Sequence, residues 1–238
     1  MNKTVLALVL GLAATTATAK EEIKFVMEAT YAPFEYMDEN NQIQGFDVDL
    51  ANALCSELEV TCSFHNQAFD SLIPALRFKR YDAAISAMDI TEARLEQVAF
   101  TDAYYDNAAA FVSISTDSVE GKRIGVQNGS THQSYLQEQM KDVVAVPYGS
   151  YQDAFIDMQN GRIDAIFGDT AVVAEWFPKN DKLSYVGEPV TDTAYFGNGF
   201  GIAVNKDNQA LVKQLNQALE AVKANGTYEE IFVKYFGN

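Results

Sequence analysis

Leu76-Arg77-Phe78-Lys79-Arg80-Tyr81-Asp82-Ala83 decides how this chain folds, because it has an echo at Met158-Gln159-Asn160-Gly161-Arg162-Ile163-Asp164-Ala165. Each copy closes a helical pattern, turns, and enters a strand on Asp-Ala. The strands then end in small or polar residues, Ile85-Ser86 in one copy and Phe167-Gly168-Asp169 in the other. Two α/β units of one plan in a single chain imply two lobes.

The first of these strands runs into Ser86-Ala87-Met88-Asp89-Ile90-Thr91-Glu92-Ala93-Arg94. Small residues at such a strand mouth let a ligand approach the backbone. An acid and a guanidinium a few residues apart suit a zwitterion, Asp89 for an ammonium and the fork of Arg94 for a carboxylate. A salt bridge on a solvated loop is the alternative reading of the same stretch.

Upstream, Ile23 to Met27 reads as a first strand ending at Glu28, and Gly45 precedes Asp47, expected to cap a helix that carries Leu50, Leu54 and Leu58. Residues 60–64 follow as a second strand. Asp70 or Ser71 can cap the next helix and puts Pro74 in its first turn, where no donor is missed. The second half opens with a strand at residues 121–126, then Gln127-Asn128-Gly129-Ser130-Thr131 and a helix through His132 to Met140. Ser130 or Thr131 caps that helix, so its free N–H groups face the loop mouth and attract a carboxylate. In open α/β sheets ligands collect at the carboxyl ends of strands, where Ser86, Thr131 and Asp169 all fall. Tyr195-Phe196-Gly197-Asn198-Gly199-Phe200-Gly201 suits a crossing between lobes. Leu211, Leu215, Leu219 and Val222 then mark a long amphipathic helix stopped by Asn225-Gly226, and Thr227 with Glu230 has the spacing of a capping box for a last helix.

Residues 1–19 have Lys3, an apolar run over 5–14 and Ala17-Thr18-Ala19 before Lys20, the pattern of a secretory signal with its cleavage site. The run is too short to span a bilayer and no Cys stands at the cut for a lipid anchor. A soluble exported protein starting near Lys20 is the expectation. The formal charge of −16 repels nucleic acid and anionic lipid and mildly steers cations inward. The two cysteines, Cys55 and Cys62, can bridge in an oxidising compartment. Unbroken helix would hold their Cα atoms roughly 10 Å apart, so the helix has to end between them for a bridge to form. No metal-ligand spacing is present, and no cofactor is expected.

Taken together, Ala29-Thr30-Tyr31-Ala32-Pro33-Phe34-Glu35, Gly45-Phe46-Asp47-Val48-Asp49-Leu50, Phe69-Asp70-Ser71-Leu72-Ile73-Pro74, Asp89-Ile90-Thr91 through Arg94, residues 125–131 and Tyr195-Phe196-Gly197 make the chain resemble the periplasmic amino-acid-binding proteins of ABC importers over essentially its whole length. Met88-Asp89-Ile90-Thr91 and Phe167-Gly168-Asp169-Thr170-Ala171-Val172-Val173 are most similar to the arginine-binding branch. The resemblance implies an α/β, two-lobe periplasmic binding protein fold of type II, each lobe a sheet flanked by helices, with two hinge strands. Lobe I would comprise residues 20–107 and 198–238, and lobe II residues 108–197. It further implies Arg94 as clamp on the ligand α-carboxylate with the Thr131 amide, Asp169 as partner of the α-ammonium, and Asp89 as a second acid where relatives often carry a hydroxyl. Tyr31 and Phe69 would be aromatic walls against which a guanidinium stacks.

Glu28 departs from the pattern, since cation-binding relatives have a shorter acid there and some arginine binders a small residue. A Glu lining the pocket would pair with a cationic side-chain tip, with Ser86, Gln127 and His132 adding hydrogen bonds, because a buried Glu without a cation is costly. Ala87 and Ser130 complete the expected set. The implied partners are L-arginine or another basic amino acid and an inner-membrane ABC permease, for a monomer in the periplasm that binds no nucleic acid. The rival reading is a cyclohexadienyl or arogenate dehydratase-like enzyme on the same fold, with Glu28 or another carboxyl as general acid. An acid-rich pocket suits a cation better than a dicarboxylate, and no nucleophile–base pair is visible.

Overall fold

The computed structural model describes residues 21–196 and 198–237; the expected secretory signal lies outside the described residues. The chain begins with β1 (Glu22–Met27), a small antiparallel sheet of β2 (Thr30–Tyr31), β3 (Glu35–Met37) and β4 (Ile43–Gln44), and α1 (Phe46–Glu57). It continues through β5 (Thr61–Asn66), α2 (Leu72–Arg77), β6 (Ala83–Ala84), α3 (Glu92–Leu95) and β7 (Val98–Phe100). After a crossing, β8 (Ala109–Ser113), β9 (Arg123–Gln127), α4 (Thr131–Gln139), β10 (Val144–Tyr148), α5 (Tyr151–Gln159), β11 (Ala165–Asp169), α6 (Thr170–Ala174) and β12 (Ser184–Val190) build a second unit. The chain then returns to the first unit for β13 (Ala203–Asn205), α7 (Gln209–Ala224) and α8 (Thr227–Phe236).

The two large sheets repeat one topology. Their orders are β5-β1-β6-β13-β7 and β10-β9-β11-β8-β12. In each, the second strand in the order pairs in parallel with both neighbours, and the fourth strand runs antiparallel to both strands beside it. The echoed Asp-Ala has a physical reason at equivalent places. Asp82 Oδ2 accepts the N–H of Lys24 at 2.8 Å, and Asp164 Oδ2 accepts the N–H of Arg123 at 2.8 Å. Each aspartate thus ties the start of the third strand to the start of the second, and the alanine after it is fully buried.

Three capping expectations are corrected. The N-cap of α1 is Gly45, and Asp47 sits inside the first turn with its side chain in the core. Gly45 has φ 131°, and a Cβ on it would meet Phe34 O at 2.1 Å, so only glycine lets the helix start against the turn that precedes β3. The N-cap of α8 is Gly226 in the left-handed region, with no side-chain cap, so Thr227 and Glu230 form no capping box. The glycine that ends α7 also starts α8, which leaves Thr227 already helical. Ser71 precedes α2, but its hydroxyl bonds back to Ala68 O instead of capping the helix.

As required for a bridge, α1 ends at Glu57, and Cys55 and Cys62 are joined with Cα atoms 6.0 Å apart. The two crossings, residues 101–108 and 198–202, lie side by side. Phe200 N–H donates to Tyr105 O at 2.8 Å, and the rings of Tyr105 and Phe200 stack at 5.6 Å. Among the described residues no helix is long and apolar enough to cross a membrane.

Candidate ligand-binding site

The carboxyl ends of β1, β6, β9 and β11 face one another across the two sheets and deliver the polar side chains. A small cavity there is lined by Tyr31, Phe69, Ala87, Asp89, Gln127, Ser130, Thr131, His132 and Asp169. All of these were singled out from the sequence. The other three, Glu28, Ser86 and Arg94, stand immediately behind this lining. Glu28 accepts a hydrogen bond from Gln127 Nε2 at 3.0 Å, its N–H donates to Ser86 Oγ at 3.0 Å, and the Arg94 guanidinium lies 5.4 Å over the Phe69 ring. A larger groove at the rim shares Phe69, Arg94, Ser130 and Thr131.

Several side chains join the two halves here. Tyr31 OH donates to Asp169 Oδ2, Thr131 Oγ1 to Asp89 Oδ2 at 2.6 Å, and Asn128 Nδ2 to Asp70 Oδ2 at 2.7 Å. Asn107, on the first crossing, donates its amide to both Asp89 Oδ1 (2.9 Å) and Asp169 Oδ1 (2.6 Å). Arg94 donates to Asp89 O at 3.0 Å and lies 4.0 Å from the Asp89 carboxylate. Arg94, Thr131 and Asp89 therefore form one cluster, with Ser130 capping α4 from Gln133 N–H so that the helix start opens beside it. His132 is placed differently from the expectation that groups it with Glu28. Its Nε2 lies 3.2 Å from Asp169 Oδ1, with its ring between Phe167 and Phe196.

Charge in this region is lopsided. Glu28, Asp89 and Asp169 are buried, and Arg94 is the one buried guanidinium or ammonium among the described residues. Burial pushes the Glu28 carboxyl up to about 7, against the pull of hydrogen bonds from Thr30 and Gln127. Asp89 is pushed up to about 6, by burial first and the Asp169 charge second, with Arg94 and His132 opposing. No positive side chain offsets the burial of Glu28, and Arg94 offsets that of Asp89 only in part. Such a site can grip one carboxylate, with Arg94 and the α4 N-terminus, and two cationic groups, with its acids and the Tyr31 and Phe69 rings.

Asn107 went unnoticed in the sequence, as did Tyr104; Glu35 was quoted there without a polar role, and Asp47 only as a helix cap. Asn107 stands in an irregular stretch with no periodicity, and no motif marks it.

The chain matches the model of the bacterial extracellular solute-binding proteins, family 3, over residues 23–238, and belongs to that family. It is 52% identical to the ABC transporter arginine-binding protein 1 of Escherichia coli K12, over 99% of both chains. It is 50% identical to the arginine-binding periplasmic protein of Mannheimia haemolytica, over 100% of this chain and 99% of that one. Among solved structures it superimposes with a TM-score of 0.87 on a Salmonella typhimurium periplasmic binding protein described for its high arginine specificity, at 44% identity over 91% of this chain and 99% of that one. The fold is that of the type II periplasmic binding proteins.

Proposed function

We propose that this protein captures L-arginine between its two lobes in the periplasm and hands it to an inner-membrane ABC importer. The observation that carries the reading is the surplus of buried carboxylates over cations around the cavity, with Glu28 and Asp89 both held above their usual range. Free arginine has one carboxylate and two cationic groups, the complement of that surplus. In this reading Arg94 and the α4 N-terminus take the α-carboxylate, Asp169 and Asp89 the α-ammonium, and Glu28 the guanidinium, flanked by Tyr31 and Phe69. The names of the relatives at 50% and 52% identity support arginine as the solute.

Lobe I would span residues 20–107 and 198–238, lobe II residues 108–197. Ligand that touches acids and donors on both lobes favours the shut form, which the permease then recognises. We read the chain as a monomeric carrier and not as an enzyme. The solute-binding relatives support this, as does the cationic preference of the cavity over a prephenate-type dicarboxylate. Differential scanning fluorimetry across the twenty amino acids plus ornithine tests it. Arginine is expected to raise the melting temperature most, and Arg94→Ala to abolish every such rise. No response to any basic amino acid, or turnover of arogenate, refutes the proposal.

A further inference from the structure

Two carboxyls meet behind the cavity wall, where no ligand reaches. Glu35 on β3 and Asp47 in the first turn of α1 are both fully buried. Ser86 Oγ donates to Glu35 Oε1 at 2.6 Å, and the same oxygen accepts the Glu28 N–H. Asp47 Oδ2 accepts the N–H of Ala87 and the hydroxyl of Tyr104, each at 2.9 Å. One oxygen of each acid is thus committed to the Ser86-Ala87 turn. The remaining oxygens, Glu35 Oε2 and Asp47 Oδ1, have no donor. Yet the two side chains lie within hydrogen-bond reach of each other.

Two ionised carboxylates so close in a dry interior repel, whereas one proton between them satisfies both orphaned oxygens. Burial, followed by the charge of Asp47, drives the Glu35 carboxyl well up, so the proton stays with Glu35. Burial pushes Asp47 up as well, to about 7, against the pull of the Ala87 N–H and Tyr104 O–H, so above that pH Asp47 carries the charge. The titratable groups facing the pair are Glu28 after β1, Tyr104 on the first crossing and Tyr228 on α8; none is a cation.

We propose that Glu35 and Asp47 share a single proton and act as a positioning pair that holds the Ser86-Ala87 turn in the shape the ligand meets. This rests on the reading of the cavity as an amino-acid site. The turn needs such a restraint. Ala87 lines the cavity at φ 42°, a region an alanine seldom adopts unless its surroundings impose it. Neither acid touches the ligand; both act through Ser86 and Ala87.

Infrared spectroscopy of the whole protein at about pH 8.5, where an isolated carboxyl is ionised, is expected to show a protonated-carboxyl band that Glu35→Gln removes. In titrations with arginine, Glu35→Ala should weaken binding about 10-fold or more, the loss of one buried hydrogen bond. Glu35→Gln should recover most of it, because the amide donates to Asp47 and accepts from Ser86. Should Glu35→Ala fail to fold, Ser86→Ala is the second variant: it cuts the link, and must lose affinity while keeping the band. A wild-type protein without the band, equal losses in the alanine and glutamine variants, or full affinity in Ser86→Ala overturns the proposal. Absence of amino-acid binding by the wild type, with the band present, overturns the site reading and the positioning role with it, but not the shared proton.

Discussion

Replacing Glu28 by Gln removes one charge and keeps the shape, so it isolates the selectivity argument. Glu28 is 5% exposed, and each of its oxygens already accepts a side-chain hydrogen bond, from Thr30 and from Gln127. The amide can keep one of these while losing the charge. A guanidinium seated against that carboxylate in a water-poor cavity then forfeits a charge-assisted interaction worth about 2–4 kcal/mol, roughly 30- to 1000-fold in affinity. Citrulline, with arginine's shape and no side-chain charge, has no such interaction and should change by less than about 3-fold. The assay is isothermal titration of both ligands into both proteins at about pH 8, where Glu28 is ionised given its rise to about 7. The ratio between wild type and variant should shrink toward about pH 5, because the wild-type carboxyl is then protonated as well. Equal weakening of arginine and citrulline, or a ratio that ignores pH, refutes the reasoning.

Arginine affinity of the wild type should fall as pH drops from about 8 to about 5, about 100-fold from Glu28 alone, because the cation must displace its proton; a flat profile excludes Glu28 from the site. Without ligand the sign reverses. A carboxyl raised from 4.5 to about 7 contributes roughly 3 kcal/mol that is fully present below 4.5 and lost as pH rises through about 7, so the free protein's melting temperature should fall over that window while the arginine-induced rise grows. Gly129 has φ 74°, and a Cβ on it would stand 2.8 Å from the Asp70 Cβ on the facing lobe. Gly129→Ala should therefore weaken arginine by about 10-fold or more while costing the free protein only about 1 kcal/mol, as read by titration and by thermal melts; a loss of stability without loss of affinity would place the contact outside closure. Reducing the Cys55–Cys62 bridge, which closes a short loop, should destabilise by about 2.5 kcal/mol in urea titrations with arginine affinity kept within about 3-fold, because the loop lies at the far end of α1.

The doubled plan is legible along the chain, and the reason is local. Asp82 and Asp164 stand at the starts of their own strands, so the Asp-Ala signature is legible in a short window, although the N–H groups they accept, on Lys24 and Arg123, lie 58 and 41 residues away. Strand ends and the cap at Ser130 are likewise read from short windows, which is how a candidate site was expected at this mouth. Asp47 and Thr227 show where such windows mislead: both have the chemistry of a cap, but a glycine one residue earlier in one case, two in the other, already holds the backbone turn. Which acids meet depends on contacts between residues far apart in the chain. Tyr31 reaches Asp169 across 138 residues, Gln127 reaches Glu28 across 99, and Asn107 joins two carboxylates from opposite sheets. The proton state of Glu28, Asp89 and the Glu35–Asp47 pair follows from burial by those distant neighbours, and burial is a property of the assembled fold.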